Sequence, residues 1–301
     1  MKILVTGSRG TIGIPLVKEL RNRGHFVFGC DIKHENDPLY MRCDIAEYRQ
    51  LERVFKHENF DLVFHLGAEF GRNNGEEYFE QVWKSNAIGT RNILEIQKDL
   101  RFKLVHASSS EIYGDVKAEY ISEETVPAPQ QNDYAISKWV NELQCRNFMA
   151  RYGNQIMIPR FFNSYGPGEY YNNYRSVVCL FCYRAMFDIP YEVYEGYHRV
   201  FMYMDDFIPT LANCADRFKN GEVVNIGGKE YRSVKDLSNV VLKILGRDDS
   251  IVTYMPEDKH NTVNKRPNID KAIKLLGHNP KTKLEEGVKK TIDWMKEVYQ
   301  K

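Results

Sequence analysis

Cysteine is scarce in this 301-residue chain, and the six present, at positions 30, 43, 145, 179, 182 and 214, are scattered. They suggest no disulfide framework, and such sparseness fits a reducing compartment. Cys179 and Cys182 form a single CxxC, but no second CxxC or spaced pair of histidines follows. A structural zinc needs four ligands, so the pair is expected to pack on a helix, and no metal is expected. An excess of either charge is also missing: 42 Lys and Arg stand against 41 Asp and Glu, leaving +1. That removes the electrostatic ground for a nucleic-acid or anionic-membrane partner. Long apolar runs are absent too. The chain opens on Met1 and Lys2, and the run at 3–5 meets Thr6 at once. This is far short of a signal-peptide core or a membrane span, so a cytoplasmic protein is expected.

Hydrophobic residues make up 43% of the chain and charged residues 28%, which is enough to bury a core and excludes disorder. Short β-branched runs at 2–6, 26–30, 61–65, 103–107 and 155–159 alternate with amphipathic stretches at 11–23, 47–56, 76–98 and 132–151. This alternation predicts an α/β fold of Rossmann type, a doubly wound parallel sheet. Beyond residue 165 the pattern turns irregular and aromatic. Helices are expected near 175–187, 205–218, 233–245, 269–276 and 284–299, and strands near 191–195 and 200–203. A strand near 222–226 is expected to return to the main sheet. The expected division is a dinucleotide-binding domain over 1–165, rejoined near 200–228, with a smaller α/β substrate-binding cap from 166–199 and 229–301.

The run Thr6-Gly7-Ser8-Arg9-Gly10-Thr11-Ile12-Gly13 falls where the first strand should turn into the first helix. There the first Gly permits a tight turn, the second lets backbone approach a pyrophosphate, and the third lets helix and strand pack closely. Asp31 stands at the end of the second strand run, where a carboxylate accepts adenosine ribose hydroxyls and repels a 2′-phosphate. NAD is therefore expected over NADP, with Lys33 nearby softening the choice. Asp44 and Ile45, after a third short run, are placed to hold the adenine edge.

Tyr134 and Lys138 lie four residues apart in a helical stretch and so share a face. A Lys ammonium beside a phenol favours the phenolate, drawing its pKa down from about 10 toward the range where it can take a proton from a substrate hydroxyl. The strand at 103–107 ends in Ser108-Ser109-Ser110-Glu111. This places hydroxyls at the carboxyl edge of the sheet, where open α/β folds bind ligands.

In this combination and order the chain resembles the extended short-chain dehydrogenase/reductase family, in particular its NAD-dependent nucleotide-sugar epimerases and dehydratases. The resemblance adds His65-Leu66-Gly67-Ala68, Asn86 before Gly89-Thr90, and Arg160-Phe161-Phe162-Asn163-Ser164-Tyr165-Gly166-Pro167 to the motifs above. It implies that Leu66, Gly67, Ala68 and Asn86 border the cofactor, that Ser109, Tyr134 and Lys138 are catalytic, and that Phe162 faces the nicotinamide. Asn163, Arg199 and Arg266 are implied to contact a nucleotide diphosphate, for which a bidentate guanidinium is suited. The chain departs from the family pattern at Gly67, Pro159, Val200 and Asn268.

Family members share oxidation of a sugar at C4, with NAD recycled in each cycle. Ser110-Glu111 directly after Ser109 resembles the pattern of 4,6-dehydratases, with Glu111 as a C5 base, and elimination chemistry is the first expectation. A 4-epimerase acting on a UDP-hexose or UDP-hexuronate is the nearest rival, and a nucleotide-glucuronate decarboxylase is third. A non-catalytic NAD-binding sensor is the alternative of a different class, and a reductase consuming free cofactor is another. The apolar faces of 76–98 and 132–151 suggest a homodimer by analogy.

Overall fold

The computed structural model describes residues 1–256, 258 and 261–300. Seven strands form the spine of the main sheet: β1 (Lys2–Thr6), β2 (Phe26–Asp31), β3 (Tyr40–Arg42), β4 (Leu62–His65), β5 (Lys103–His106), β7 (Ile156–Phe161) and β12 (Val223–Ile226). Their spatial order is β12-β7-β5-β4-β1-β2-β3 and every pairing is parallel. The short β6 (Ser108–Ser109) pairs with the end of β7. The order reverses between β1 and β4, the crevice where open α/β sheets bind ligands.

Helices cover both faces of this sheet. Ile3 and Val5 face Leu16 and Leu20 of α1 (Gly13–Asn22), with Phe207 and Leu211 of α8 (Met204–Asp216) and Leu276 of α10 (Asp270–Leu276) in the same core. Leu4 and Val63 point the other way, among Leu51 of α2 (Tyr48–His57), Ile93 of α5 (Gly89–Leu100) and Phe148 of α6 (Asp133–Tyr152). Strands buried on both faces read as unbroken apolar runs rather than alternating ones, as 3–5 and 62–64 do.

The stretch expected as one helix over 76–98 is instead segmented. It comprises α3 (Arg72–Glu77), α4 (Phe79–Val82), a π-helical turn at Trp83–Ile88, and α5. The wider turn sets Asn86 fully inside, where its side chain reaches two other elements, so polar anchoring overrides helical periodicity.

A second lobe gathers α7 (Val177–Met186), α9 (Val234–Leu245) and α11 (Leu284–Tyr299) around a core that includes Cys179 and Cys182. Its strands are β8 (Ser164–Tyr165) with β11 (Met202–Tyr203), β9 (Tyr191–Tyr194) with β14 (Val252–Met255), and β10 (His198–Val200) between β13 (Tyr231–Ser233) and β15 (Asn264–Lys265). Strand β3 is the third short run before Asp44, whereas β13, β14 and β15 are strands that the sequence pattern does not predict. Among the described residues no helix is long and apolar enough to cross a membrane.

Candidate active site

Strand register brings the motifs to one edge. Thr6 pairs with Cys30 and His65, His65 with His106, and Ser109 with Phe161. The turns that follow these residues line a cavity of about 440 Å³. On one side are Gly7, Gly10, Thr11, Ile12 and Gly13. Gly7 holds a positive φ of 68°, and a Cβ there would come within 2.7 Å of the Gly67 nitrogen. A Cβ on Gly13 would meet the Gly7 carbonyl at 2.1 Å, so α1 can begin this close to the strand only with glycine. The first turn of α1 carries no acidic residue, which leaves its N–H groups free of local carboxylates. This cradle fits a dinucleotide pyrophosphate. Beside it the Asp31 carboxylate accepts from the backbone N–H of Arg9 at 2.9 Å and of Lys33 at 3.1 Å. Leu66 and Ala68 also border the cavity, but Gly67 does not. Its contacts are inward, with its N–H donating to Thr6 Oγ1 at 3.1 Å and Ile45 packed against it.

Helix α6 starts where it does because Asn132 caps it, accepting the Ala135 N–H at 2.9 Å, and it ends on Gly153 in the left-handed region. Tyr134 therefore sits in its first turn and Lys138 one turn on, both lining the cavity beside Ser109 and Ser110. Ser109 hydrogen-bonds Tyr134 through its side chain, while its Oγ also accepts the Glu111 N–H at 3.2 Å. The Lys138 ammonium lies 6.0 Å from the Tyr134 ring centre and donates to the Ala107 carbonyl at 3.1 Å. Burial pushes the Tyr134 phenol well above its ordinary value, the Ser109 bond pulls the other way, and the Glu111 charge adds to the rise. The expected lowering of Tyr134 by Lys138 does not arise in this geometry: the ammonium is directed to the Ala107 carbonyl, and burial sets the direction. Lys138 is itself brought down by burial to about 8.

The opposite wall carries an arrangement the sequence reading missed. Lys265, almost fully buried, donates to Glu111 inside the cavity, and Arg199 and Arg72 line the same wall. Burial favours the neutral Glu111 carboxyl, but Lys265, then Arg199 and Arg72, outweigh it and hold Glu111 below the ordinary carboxylate range. Lys265 is lowered by burial to about 8 against the pull of Glu111. Arg199 is fixed by four acceptors: the carbonyls of His198, Val263 and Thr262, and Asn261 Oδ1. Arg72 makes a two-pronged pair with Asp258 at 2.7 and 2.8 Å.

Several expected positions fall elsewhere. Phe162 is fully buried among Tyr113 and Val200, and Phe161, edge-on to Phe207 at 4.8 Å, borders the cavity instead. Consecutive residues of extended backbone point to opposite sides, so Phe161 and Phe162 do not both face the cavity. The same correction applies at the end of β15. Lys265 faces the cavity, whereas the Arg266 guanidinium stacks 4.1 Å over Tyr120 and pairs with Glu119 outside it. Asn163 and Arg199 do line the cavity. Asn86 does not. It clamps the loop after β4, bonding the Glu69 carbonyl at 3.1 Å and N–H at 2.8 Å and Ser137 Oγ at 2.9 Å. Asp44 accepts the Ala46 N–H at 2.9 Å, and Ile45 packs on Gly67 and Gly89. Strand alternation was the one available signal that 265, rather than 266, turns inward. Nothing local marks Arg72, which reaches the site from the first position of α3.

A Rossmann sheet with this glycine cradle and a Ser, Tyr and Lys set at its edge defines an NAD-dependent enzyme of nucleotide-sugar modification. The chain belongs to the NAD dependent epimerase/dehydratase family, whose model matches residues 3–227. It is 29% identical over 320 residues to the UDP-N-acetyl-alpha-D-glucosaminuronate decarboxylase of Bacillus cytotoxicus, covering 99% of this chain and 98% of that protein. The crystal structure of the UDP-glucuronic acid 4-epimerase of Bacillus cereus, in complex with UDP-glucuronic acid and NAD, superposes with a TM-score of 0.88. It is 28% identical and covers 99% of this chain and 100% of that one. The dTDP-glucose 4,6-dehydratase of Neisseria meningitidis is 25% identical over 331 residues, covering 97% and 92%.

Proposed function

We propose that this enzyme takes a nucleoside-diphosphate hexuronate, with UDP as the first nucleotide to test, oxidises it at C4 and releases its C6 carboxylate as carbon dioxide. The observation that carries the reading is the Lys265–Glu111 pair, flanked by Arg72 and Arg199, in the same cavity as Ser109 and Tyr134. A neutral hexose has no group at C6 that calls for a buried ammonium beyond those that meet the diphosphate, whereas a hexuronate carries a carboxylate there. The first expectation, elimination with Glu111 as C5 base, loses support on the same ground. A carboxylate held below its ordinary range by three cations is a weak base.

In this reading residues 1–165 and the strand at 223–226 hold the cofactor, with Asp31 accepting the adenosine ribose hydroxyls. Residues 166–199 and 229–301 hold the substrate, with Arg175, which also lines the cavity, facing the diphosphate. Tyr134, in the phenolate form that Lys138 and the positive charge of a bound nicotinamide would favour against burial, takes the proton of the 4-hydroxyl, assisted by the Ser109 hydroxyl. Bound NAD supplies the acceptor for the C4 hydride and returns it at the end of the cycle. The 4-ketone makes the substrate a β-keto acid: the C5–C6 bond breaks, carbon dioxide leaves, and the electron pair passes into the C4 carbonyl as an enolate. Lys265, with Glu111 beside it, delivers a proton to C5. Tyr134 then returns its proton to the C4 oxygen. The exposed apolar residues Tyr78, Phe79, Ile88 and Leu143 support a homodimer through this face.

The test is mass spectrometry of products from UDP-glucuronate and UDP-N-acetylglucosaminuronate in deuterium oxide. Loss of carbon dioxide with one deuterium at C5 is expected. An isomer of unchanged mass would make the enzyme a hexuronate 4-epimerase, a reading favoured by its similarity to the Bacillus cereus epimerase. Loss of water from a hexose panel would restore the dehydratase.

A further inference from the structure

Arg9 sits in the glycine-rich turn with its backbone N–H on the Asp31 carboxylate, so its side chain lies beside the expected adenosine ribose. An arginine in that neighbourhood is what accommodates the 2′-phosphate of NADP. Here the guanidinium is already engaged. Its Nη2 donates to Asp37 Oδ2 at 3.1 Å, its Nε lies 3.5 Å from Glu35 Oε2, and it stacks 5.0 Å over the Tyr40 ring. Asp37 is anchored in turn by Arg21, at 3.2 Å, and by the Leu39 N–H, at 2.8 Å. Tyr40 is tied down through its hydroxyl, which donates to the carbonyls of Asp31 and Lys33. Lys33, the other cation nearby, donates its ammonium to the Arg9 carbonyl at 3.1 Å.

We propose that Glu35 and Asp37 are specificity-determining residues for the cofactor: by holding Arg9 in a folded-over 32–40 segment, they deny a 2′-phosphate its cation and enforce NAD over NADP. Asp31 alone repels the extra phosphate. The Glu35 and Asp37 pairs remove the guanidinium that would compensate, so discrimination rests on both devices. The inference takes from the proposed function the assignment of Asp31 to the ribose.

Calorimetric titration of the full chain with NAD⁺ and with NADP⁺, after exchange of any bound nucleotide, tests it without reference to turnover. Wild type is expected to prefer NAD⁺. Glu35→Gln with Asp37→Asn is expected to tighten NADP⁺ by about tenfold, the value of one good ion pair to phosphate, while NAD⁺ changes little. Adding Arg9→Met is expected to cancel the gain. Unchanged NADP⁺ affinity in the double variant, or a gain that survives without Arg9, overturns the proposal. Should the loss of the Asp37 bonds unfold the protein, Glu35→Gln alone, at a side chain 40% exposed, is expected to shift the ratio the same way by a smaller factor. No shift in that variant is then the overturning result. Asp31→Asn in the same titration separates the two claims. If NAD⁺ affinity is indifferent to it, the ribose assignment fails, while the response of NADP⁺ to Arg9 is read independently.

Discussion

Lys265 donates to Glu111 across 154 residues of sequence, and both side chains line the cavity that Tyr134 also lines. The lysine side chain is 3% exposed and the glutamate 24%, so the pair is poised at the boundary between the core and the substrate space. A buried ammonium with one partner retains the capacity to engage a second anion.

Lys265→Met is expected to lower kcat with a hexuronate by about 10²–10⁴-fold, the usual range for loss of a positioned proton donor, while NAD binding is retained. Steady-state kinetics with a cofactor titration check this. An unaffected kcat would remove Lys265 from the chemistry.

Activity is expected to fall as pH rises through about 8, because burial brings both Lys138 and Lys265 to about 8 and each is required charged. The descending limb of kcat/KM against pH should be steeper than one proton. The residual activity of Lys265→Met, which no longer depends on that ammonium, should show only a one-proton slope.

Tyr134→Phe is expected to abolish turnover with every nucleotide sugar while leaving the fold intact, since α6 keeps its Asn132 cap and the ring keeps its edge-on contact with Phe70 at 5.9 Å. Circular dichroism and product analysis together check it. A variant that still turns over would remove the phenol from the proton transfer.

Glu142→Gln is expected to cost about 3–5 kcal/mol, because it leaves Arg160 charged and unpaired in the core. Glu142, with a side chain 0% exposed, accepts from Arg160 at 2.8 and 2.7 Å and from Ser108 Oγ at 2.6 Å. The pair thereby ties α6 to β7, and the Ser108 bond ties it to β6, which contains Ser109. Denaturant unfolding measures the loss. Replacing both partners with methionine should cost less, since no charge is then stranded.

Acid should destabilise the protein earlier than its carboxylates require. Burial lowers His65 to about 3 and also lowers His106 and His278, so all three are neutral in the fold. Their stabilising contribution is complete above the unfolded value of about 6.5 and is lost as pH falls from there through the folded values. The unfolded chain binds the protons that the folded one refuses, at about 1.4 kcal/mol per pH unit for a histidine held as low as His65, with His106 and His278 acting in the same direction. Unfolding free energy measured between pH 7 and 5 should show this slope, and His106→Asn should make it shallower.

Much of the fold was legible because its signals are local. The glycines at 7 and 13, the alternation of strand and helix runs, and the Tyr134–Lys138 spacing each follow from backbone sterics or helix geometry within a few residues. The same locality explains the misreadings. The π-turn at 83–88 exists because Asn86 is needed by Glu69 and Ser137, partners that are not neighbours in sequence. Phe161 and Phe162, like Lys265 and Arg266, could be told apart only by knowing which strand face meets the cavity.

Residues close in the chain and short-range geometry suffice to read from the chain alone the α/β architecture, the glycine-rich turn and the placing of Ser109, Tyr134 and Lys138 at one cavity. Tertiary structure decided the environment of Glu111. Its partner arrives on β15 and the surrounding arginines from two further segments, and the protonation behaviour of a carboxylate depends on burial and on charges within a few ångströms, whatever their separation along the chain.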